Sequence, residues 1–164
     1  MIQFPSTIRP ILHYPNPILK RKAKAVAKIT PDIHRLIQDM LETMYDAPGV
    51  GLAAPQIGVS LRIVVIDVSE DHSSPMVFVN PKVTRLSKEK TSEQEGCLSI
   101  PGIVGEPVRS LSASMEGLDR NGKKRMREGE GLLARAFQHE VDHLNGTLFI
   151  DRVEDKSTIK EMER

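Results

Sequence analysis

Cysteine is almost absent from this chain of 164 residues, in which Cys97 is the only one. A disulfide within the chain is therefore excluded, and such a composition is typical of proteins in a reducing compartment. A lone cysteine is commonly a small buried hydrophobic residue, and its alternative interpretations are a nucleophile or a metal ligand. We expect a cytoplasmic protein.

Aromatic residues are scarce as well, since they make up 4% of the chain and tryptophan is absent. Stacking platforms for single-stranded nucleic acid are therefore not expected. The formal net charge of +1 gives no reason to expect a nucleic-acid or membrane partner. No segment approaches the roughly 18 consecutive apolar residues of a transmembrane helix, and Met1 to Pro10 lack the apolar run of a signal peptide.

The residues that are present, 39% hydrophobic and 27% charged, form the composition of an ordinary globular protein. The length predicts a single domain over 1–164 that buries its own core. We expect an N-terminal extension at 1–10 and a short charged C-terminal tail at 154–164. No internal repeat or low-complexity segment divides the chain.

Local signals predict two helices. Thr30-Pro31-Asp32 combines an N-cap, a proline at the first helical position and an acid in the first turn. Apolar residues then recur at helical spacing until about Tyr45, so this helix is amphipathic. A second helix is predicted from about Gly131 to Leu144, where Asn145-Gly146 ends it.

Short strands are predicted around these helices, and the order of elements indicates an α+β fold. Asn80-Pro81 is expected to end or kink the second strand, and Asn121-Gly122 is a hairpin signal. The predicted strands lie at 62–68, 76–79, 108–118 and 147–151, and a further short strand follows the hairpin signal through Met126.

The segment Gln-His-Glu-Val-Asp-His, at 138–143, places two histidines four residues apart on the second predicted helix. Residues at this spacing stand one above the other, so His139 and His143 can bind one metal ion. Glu140 can then reach a water on that ion. The alternative is a chance pattern of structural histidines on a polar helix.

The motif leaves the third protein ligand unnamed. In the extended zinc-peptidase pattern a later histidine supplies it, but Phe149 stands at that position here. Because the remaining glutamates lie in or beside the charged tail, we expect an upstream ligand, and Cys97 is the candidate. A thiolate and two imidazoles with one open position suit a catalytic site, and they accept Zn²⁺, Fe²⁺, Co²⁺ or Ni²⁺.

Three motifs together resemble the peptide deformylase family. They are Gly-Val-Gly-Leu-Ala-Ala-Pro-Gln at 49–56, Glu-Gly-Cys-Leu-Ser at 95–99 and the helix segment at 138–143. They occur in the family's order and with similar separations, and the resemblance extends from about Ile11 to Val153. It implies one catalytic domain whose antiparallel sheets pack around the helix with the His-Glu-x-x-His motif.

The resemblance also implies a hydrolase that removes the N-formyl group from the initiator methionine of new polypeptides and releases formate. One divalent ion, expected to be Fe²⁺, would be bound by Cys97, His139 and His143, a ligand set that Zn²⁺, Ni²⁺ and Co²⁺ also fit. Glu140 would take the proton of the attacking water and pass it to the departing amine.

The remaining site residues are implied by the same resemblance. The side-chain amide of Gln56 and the backbone N–H of Leu98 would donate to the formyl oxygen as it gains negative charge. The methionine side chain would lie in an apolar pocket, and the peptide would bind in an extended form. The candidate substrate contacts are Val50, Gly51, Leu132, Ala136 and Arg109. Ala136-Phe137 stands where relatives often have bulkier or sulfur-containing residues, which would change the size of the pocket.

The expected partners are N-formylmethionyl nascent peptides, with transient contact to the ribosome exit region. The chain is expected to be a monomer. Some relatives dock on the ribosome through a long C-terminal helix, whereas Thr158 to Arg164 can form at most one or two turns. Stable docking by that route is therefore not expected.

Three other functions remain open at this point. A zinc metallopeptidase of the HExxH type would lack its downstream ligand. A binding domain with a structural metal would require a closed site with four protein ligands, and the sequence supplies only three candidates. A cysteine hydrolase that uses Cys97 as its nucleophile would form a covalent intermediate and work without metal.

Overall fold

A computed structural model describes residues 7–162, so the predicted extension at 1–10 and tail at 154–164 lie partly outside the described residues. Within them the chain forms two α-helices and ten β-strands. The helices are α1 (Pro31–Asp46) and α2 (Gly131–Leu144). The strands are β1 (Gly51–Ala53), β2 (Ile63–Ile66), β3 (Met76–Leu86), β4 (Lys90–Ser92), β5 (Glu95–Cys97), β6 (Ile100–Gly105), β7 (Val108–Ser110), β8 (Ser112–Leu118), β9 (Lys124–Glu130) and β10 (Lys160–Glu161).

Helix α1 begins at the predicted N-cap. The Thr30 Oγ1 atom accepts a hydrogen bond from the Ile33 N–H at 3.3 Å, and Pro31 occupies the first turn. The apolar residues at helical spacing are buried on one face, as an amphipathic helix requires. They are Ile33, Leu36, Ile37, Met40, Leu41 and Met44.

Five strands form an antiparallel sheet in the order β1-β2-β3-β8-β9. Strand β2 is apolar throughout because both faces of the sheet are covered. Ile63 and Val65 pack into the core cluster that contains α1, whereas Val64 and Ile66 pack into the cluster that contains α2. The sheet therefore separates the two helices.

Asn80 kinks β3 without ending it. Its φ of 53° is in the left-handed region, and the register with β8 shifts between Val79 and Lys82. The Asn80 side chain accepts from the Val26 N–H at 2.8 Å and donates to the Val26 carbonyl at 3.0 Å. Of the two predicted outcomes, the kink is therefore the one that occurs.

Helix α2 packs on the sheet through an apolar face. The rings of Phe137 and Phe78 meet edge to face with their centroids 5.8 Å apart, and Ala134 and Leu144 are fully buried. The Gln138 side chain donates to the Ser110 carbonyl and accepts from the Ser110 N–H, which ties the helix to β7. Further along α2, His139 contacts Glu95 of β5, whereas Glu140 lies against Gly51 of β1.

Two smaller antiparallel sheets complete the fold, one in the order β10-β6-β5 and the other formed by β4 and β7. Cys97 ends β5. The predicted strand at 147–151 is wrong, because Phe149–Arg152 forms a 3₁₀ helix. Its turn is closed locally by Asp151 Oδ2, which accepts from the Leu148 N–H at 2.8 Å.

The predicted α+β class, with antiparallel sheets and two helices, is confirmed. Of the helices in the described part of the chain, none combines the length and the apolar character that crossing a membrane requires.

Candidate active site and metal centre

Three side chains that are distant in the sequence converge between β5 and α2. Cys97 Sγ lies 3.2 Å from His143 Nε2, and that atom lies 3.2 Å from His139 Nε2. The three potential ligand atoms are all within 4.8 Å of one another, the one such group found among residues 7–162. Below, these three residues are called the ligand cluster.

Glu95 fixes the orientation of one histidine in the ligand cluster. Its Oε1 atom lies 2.9 Å from His139 Nδ1. An ionised carboxylate can only accept, so His139 donates from Nδ1, and its Nε2 atom faces the cluster. Metal-binding histidines are commonly held in this way. Glu95 was not predicted as a site residue, and its place two residues before Cys97 is the signal that points to it.

The electrostatics of the ligand cluster favour positive charge beside the thiol. Burial lowers the pKa of His139, but its contacts with Cys97 and Glu95 outweigh burial and hold that pKa well above its ordinary value. Burial, together with the positive charges of His139 and Arg109, holds the pKa of His143 well below its ordinary value. A divalent cation would supply the favoured charge, and a donor set of two nitrogens and one sulfur suits such an ion.

Glu140 lies beside the ligand cluster and is 4% exposed. Its Oε1 atom is buried and has no hydrogen-bond partner among the described residues. Burial raises the pKa of Glu140 to about 7, although the charge on His139 opposes the rise. A carboxylate with a pKa near neutrality is suited to general acid–base work.

Gly51 of β1 makes room for this carboxylate. A Cβ atom at position 51 would collide with Glu140 Oε2 and lie 2.9 Å from Glu140 Cδ. A glycine is therefore required where β1 crosses α2, for the close approach rather than for an unusual backbone conformation.

Gln56 points the donor end of its side chain at the ligand cluster. Its Oε1 atom accepts from the Ala53 N–H at 2.9 Å, which fixes the orientation of the amide. Its Nε2 atom donates to Ser99 Oγ at 3.2 Å and lies 3.7 Å from Cys97 Sγ. Ala53 and Ser99 were not predicted as site residues, because their contacts with Gln56 depend on the tertiary fold.

A cavity of about 750 Å³ opens onto the ligand cluster. Val50 and Leu132 lie on its walls and are each 44% exposed, whereas Ala136 is buried. The predicted site residues that line it are Val50, Gly51, Gln56, Cys97, Leu98, Leu132, Ala136, His139 and Glu140. His143 is 1% exposed and lies in the ligand cluster beneath this lining.

Arg109, which was predicted as a substrate contact, forms ion pairs with Glu95 and Asp142 inside the protein. It is 3% exposed, and its guanidinium donates to both carboxylate oxygens of Glu95 at 3.1 Å and to Asp142 Oδ2 at 2.7 Å. It is not among the described residues that line the cavity. Two carboxylates already occupy the guanidinium and hold it behind His139, which does not favour a substrate contact, so that role stays a prediction.

Arg135 of α2 and Met162 are among the residues that line the cavity without having been predicted as site residues. Met162 follows β10, and its N–H donates to the Gly102 carbonyl at 2.8 Å. No sequence motif includes either residue. Their positions on the cavity wall follow from the packing of α2 and from the pairing of β10 with β6.

Comparisons with known proteins show which family the chain resembles over most of its length. Residues 8–158 match the family model described as polypeptide deformylase. The peptide deformylase of Rhizobium meliloti (strain 1021) is 52% identical over 149 residues, which are 90% of this chain and 86% of that protein. A peptide deformylase crystal structure from Legionella pneumophila, 46% identical, superposes with a TM-score of 0.88 over 93% of this chain and 89% of the other. A peptide deformylase crystal structure from Synechococcus elongatus in complex with actinonin is 41% identical. It superposes with a TM-score of 0.88 over 92% of this chain and 83% of the other.

Proposed function

The chain belongs to the polypeptide deformylase family, and we propose that it removes the N-formyl group from the formylmethionine of newly synthesised polypeptides. The observation that carries this proposal is the meeting of three groups in one cavity. They are the ligand cluster, the unpaired carboxylate oxygen of Glu140 and the donor end of Gln56. We propose that 1–164 acts as a single catalytic domain, with the His-Glu-x-x-His helix at its centre.

Cys97, His139 and His143 hold one divalent metal ion in this proposal. When bound, such an ion lowers the pKa of water at the site and polarises a carbonyl oxygen. We propose Fe²⁺ as the native ion on the basis of family resemblance, with Zn²⁺, Ni²⁺ and Co²⁺ as further ions that the ligand set accepts. Glu95, itself held by Arg109, positions His139 for this role.

Glu140 moves the protons of the reaction. Its carboxylate takes a proton from the attacking water, whose oxygen forms a bond with the formyl carbon. As the bond between the formyl carbon and the methionine nitrogen breaks, Glu140 passes that proton to the nitrogen, and formate leaves. The unpaired Oε1 atom of Glu140 supports this role, because a buried acceptor without a partner is free to bind a water.

Gln56 and Leu98 stabilise the charge that develops on the formyl oxygen. The Gln56 amide is held by Ala53 with its Nε2 towards Cys97, so its donor is oriented before the substrate arrives. Leu98 follows Cys97 in the turn between β5 and β6, and we propose that its backbone N–H is the second donor.

The methionine side chain binds against Val50, Leu132 and Ala136. These residues lie on the cavity wall and are apolar, which suits an unbranched thioether side chain. Gly51 belongs to β1, at the edge of the five-stranded sheet, where an extended peptide can pair with backbone groups.

The zinc metallopeptidase alternative is not favoured. The third potential ligand, Cys97, lies upstream of the helix motif instead of downstream. Three ligand residues leave a fourth position open, which argues against a purely structural metal. A metal-independent cysteine hydrolase would not require two histidine nitrogens turned towards the thiol.

One experiment separates these functions. The protein is purified without oxygen, its metal content is measured, and formate release from formyl-Met-Ala-Ser is followed before and after complete chelation. We expect turnover that disappears on chelation and returns with added Fe²⁺. Turnover that persists in the metal-free protein would contradict the metal mechanism. Cleavage at an internal peptide bond would favour the peptidase.

Three expectations remain predictions: a monomer, a cytoplasmic location, and transient contact with the ribosome exit region.

A further inference from the structure

Arg135 is a cation on the cavity wall for which residues 7–162 supply no partner. Its Nε atom is buried without a hydrogen-bond partner, and no ion pair or hydrogen bond to its guanidinium occurs within residues 7–162. The two terminal nitrogens are not among the buried unpaired atoms, so they remain accessible at the cavity. Buried or half-buried arginines are ordinarily paired with an acid.

The other charged groups on the cavity wall are already committed. Glu95 is bonded to His139 and Arg109, and His139 belongs to the ligand cluster. Glu140 is the proposed acid–base group. Arg135 therefore supplies an accessible positive charge that the hydrolysis itself does not use.

The position of Arg135 lies along the path of the substrate. It precedes His139 by four residues, one helical turn or about 6 Å along the axis, and it follows Leu132 by three. It therefore lies on the cavity wall one turn before His139, beside the proposed methionine pocket that Leu132 and Ala136 border. A peptide whose formyl group reaches the cluster brings its first residues past this side chain.

We propose that Arg135 binds a carboxylate of the peptide downstream of the methionine, and so makes this enzyme prefer formyl peptides with an acidic residue there. The planar guanidinium matches a carboxylate with two parallel hydrogen bonds. The proposal rests on the proposed deformylase function. The alternative is structural: the stem of Arg135 covers apolar surface while its head is only hydrated.

The test compares peptides that differ in one charge. The substrates are formyl-Met-Glu-Ala-amide and formyl-Met-Ala-Glu-amide, their Gln counterparts, and formyl-Met-Ala as free acid and as amide. The two Glu/Gln pairs test whether a side-chain carboxylate is recognised. The acid and amide forms of formyl-Met-Ala test whether the terminal carboxylate of a short peptide is recognised. We expect kcat/KM to be about fivefold higher for at least one acidic member, and the ratio to fall with added salt.

Variants assign the preference to one residue. In Arg135→Leu the acidic-to-neutral ratio should fall to about one while the rate on the Gln peptides is retained, and Arg135→Lys should keep part of the preference. Arg127→Leu, at an exposed arginine of β9, is the matched control and should keep the full ratio. A ratio of one in the unaltered protein, or a ratio that survives in Arg135→Leu, would overturn the proposal. If Arg135→Leu does not fold, Arg135→Gln and the salt dependence give the same decision.

Equilibrium binding separates this proposal from the proposed function. The unformylated peptides Met-Ala-Glu-amide and Met-Ala-Gln-amide, with Met-Glu-Ala-amide and Met-Gln-Ala-amide, are titrated into the metal-loaded protein by calorimetry. Tighter binding of an acidic peptide that depends on Arg135 supports the carboxylate site even if no formyl peptide is hydrolysed. Equal binding of all four peptides overturns it even if deformylation is rapid.

Discussion

Two regions around the cavity, one behind the ligand cluster and one on the substrate side, differ in how their polar groups are satisfied. Behind the ligand cluster, Glu95, Arg109 and Asp142 form a chain of ion pairs in which Arg109 is 3% and Asp142 8% exposed. On the substrate side, Val50 and Leu132 each expose 44% of their surface, and the Arg135 guanidinium has no partner among the described residues. We call these regions the paired wall and the open wall.

The difference follows from what each wall has to do. A metal site requires ligand atoms held within a fraction of an ångström, and buried hydrogen bonds provide that rigidity. A site for nascent chains has to accept peptides that vary beyond their first residue, and half-exposed apolar side chains adapt to them. Changes at the chemistry should therefore lower the rate greatly, changes in the paired wall should affect metal binding, and changes in the open wall should have small, substrate-dependent effects.

The largest effect is expected for Glu140→Gln, which preserves the shape of the side chain but removes the base. Turnover of formyl-Met-Ala-Ser should fall by about 10³-fold or more, because acid–base catalysis typically contributes that much. Metal content, measured on the same preparation, should not change. Glu128→Gln, at an exposed position of β9, is the control and should keep full activity. Near-normal turnover in Glu140→Gln would remove Glu140 from the mechanism.

Gln56→Glu should cause the next largest loss. The new carboxylate can still accept from the Ala53 N–H, but it places an acceptor where Nε2 donates towards Cys97. We expect kcat to fall on the order of 10²-fold, the usual cost of one lost donor to a developing oxyanion. Gln38→Glu, on α1 and remote from the cavity, is the control. A change confined to KM would instead indicate that Gln56 only binds substrate.

Glu95→Gln tests the paired wall itself. The amide oxygen can still accept from His139 Nδ1, but the negative charge that orients this ring and neutralises Arg109 is lost. Metal affinity, measured by competition with a chelator, should fall by about 10- to 100-fold. Turnover at saturating metal should recover most of its value. The control is Glu93→Gln, at an exposed neighbouring position. Unchanged metal affinity in Glu95→Gln would show that the charge of Glu95 is not needed to position His139.

These predictions also show which contacts the sequence reveals. The range of α2 follows from local signals, because the apolar spacing and Asn145-Gly146 lie within the segment itself. The bond between Glu95 and His139 spans 44 residues, and no periodicity predicts a contact at that distance. The ion pair between Arg109 and Asp142 was missed for the same reason, since the two residues are 33 positions apart.

The misassigned strand at 147–151 has a different cause. Phe149 and Ile150 are good strand formers, but Asp151 bonds the backbone of Leu148 and closes a turn in its place. Phe149 and Leu148 then pack with Leu19 in a small core cluster. Side-chain-to-backbone bonds of this kind compete with strand propensity and are decided by tertiary packing.

The smallest effect is expected for Leu132→Ala in the open wall. A side chain that is 44% exposed loses little buried surface on truncation, so kcat/KM for formyl-Met-Ala-Ser should fall only about threefold. The loss should be smaller for a formyl-Ala peptide, whose side chain does not reach this wall. Leu111→Ala is a close control, because Leu111 is 46% exposed and is not among the described residues that line the cavity. An equal loss with both peptides would mean that Leu132 acts through the helix rather than on the methionine side chain. The open wall would then be part of the catalytic scaffold, and the contrast with the paired wall would no longer hold.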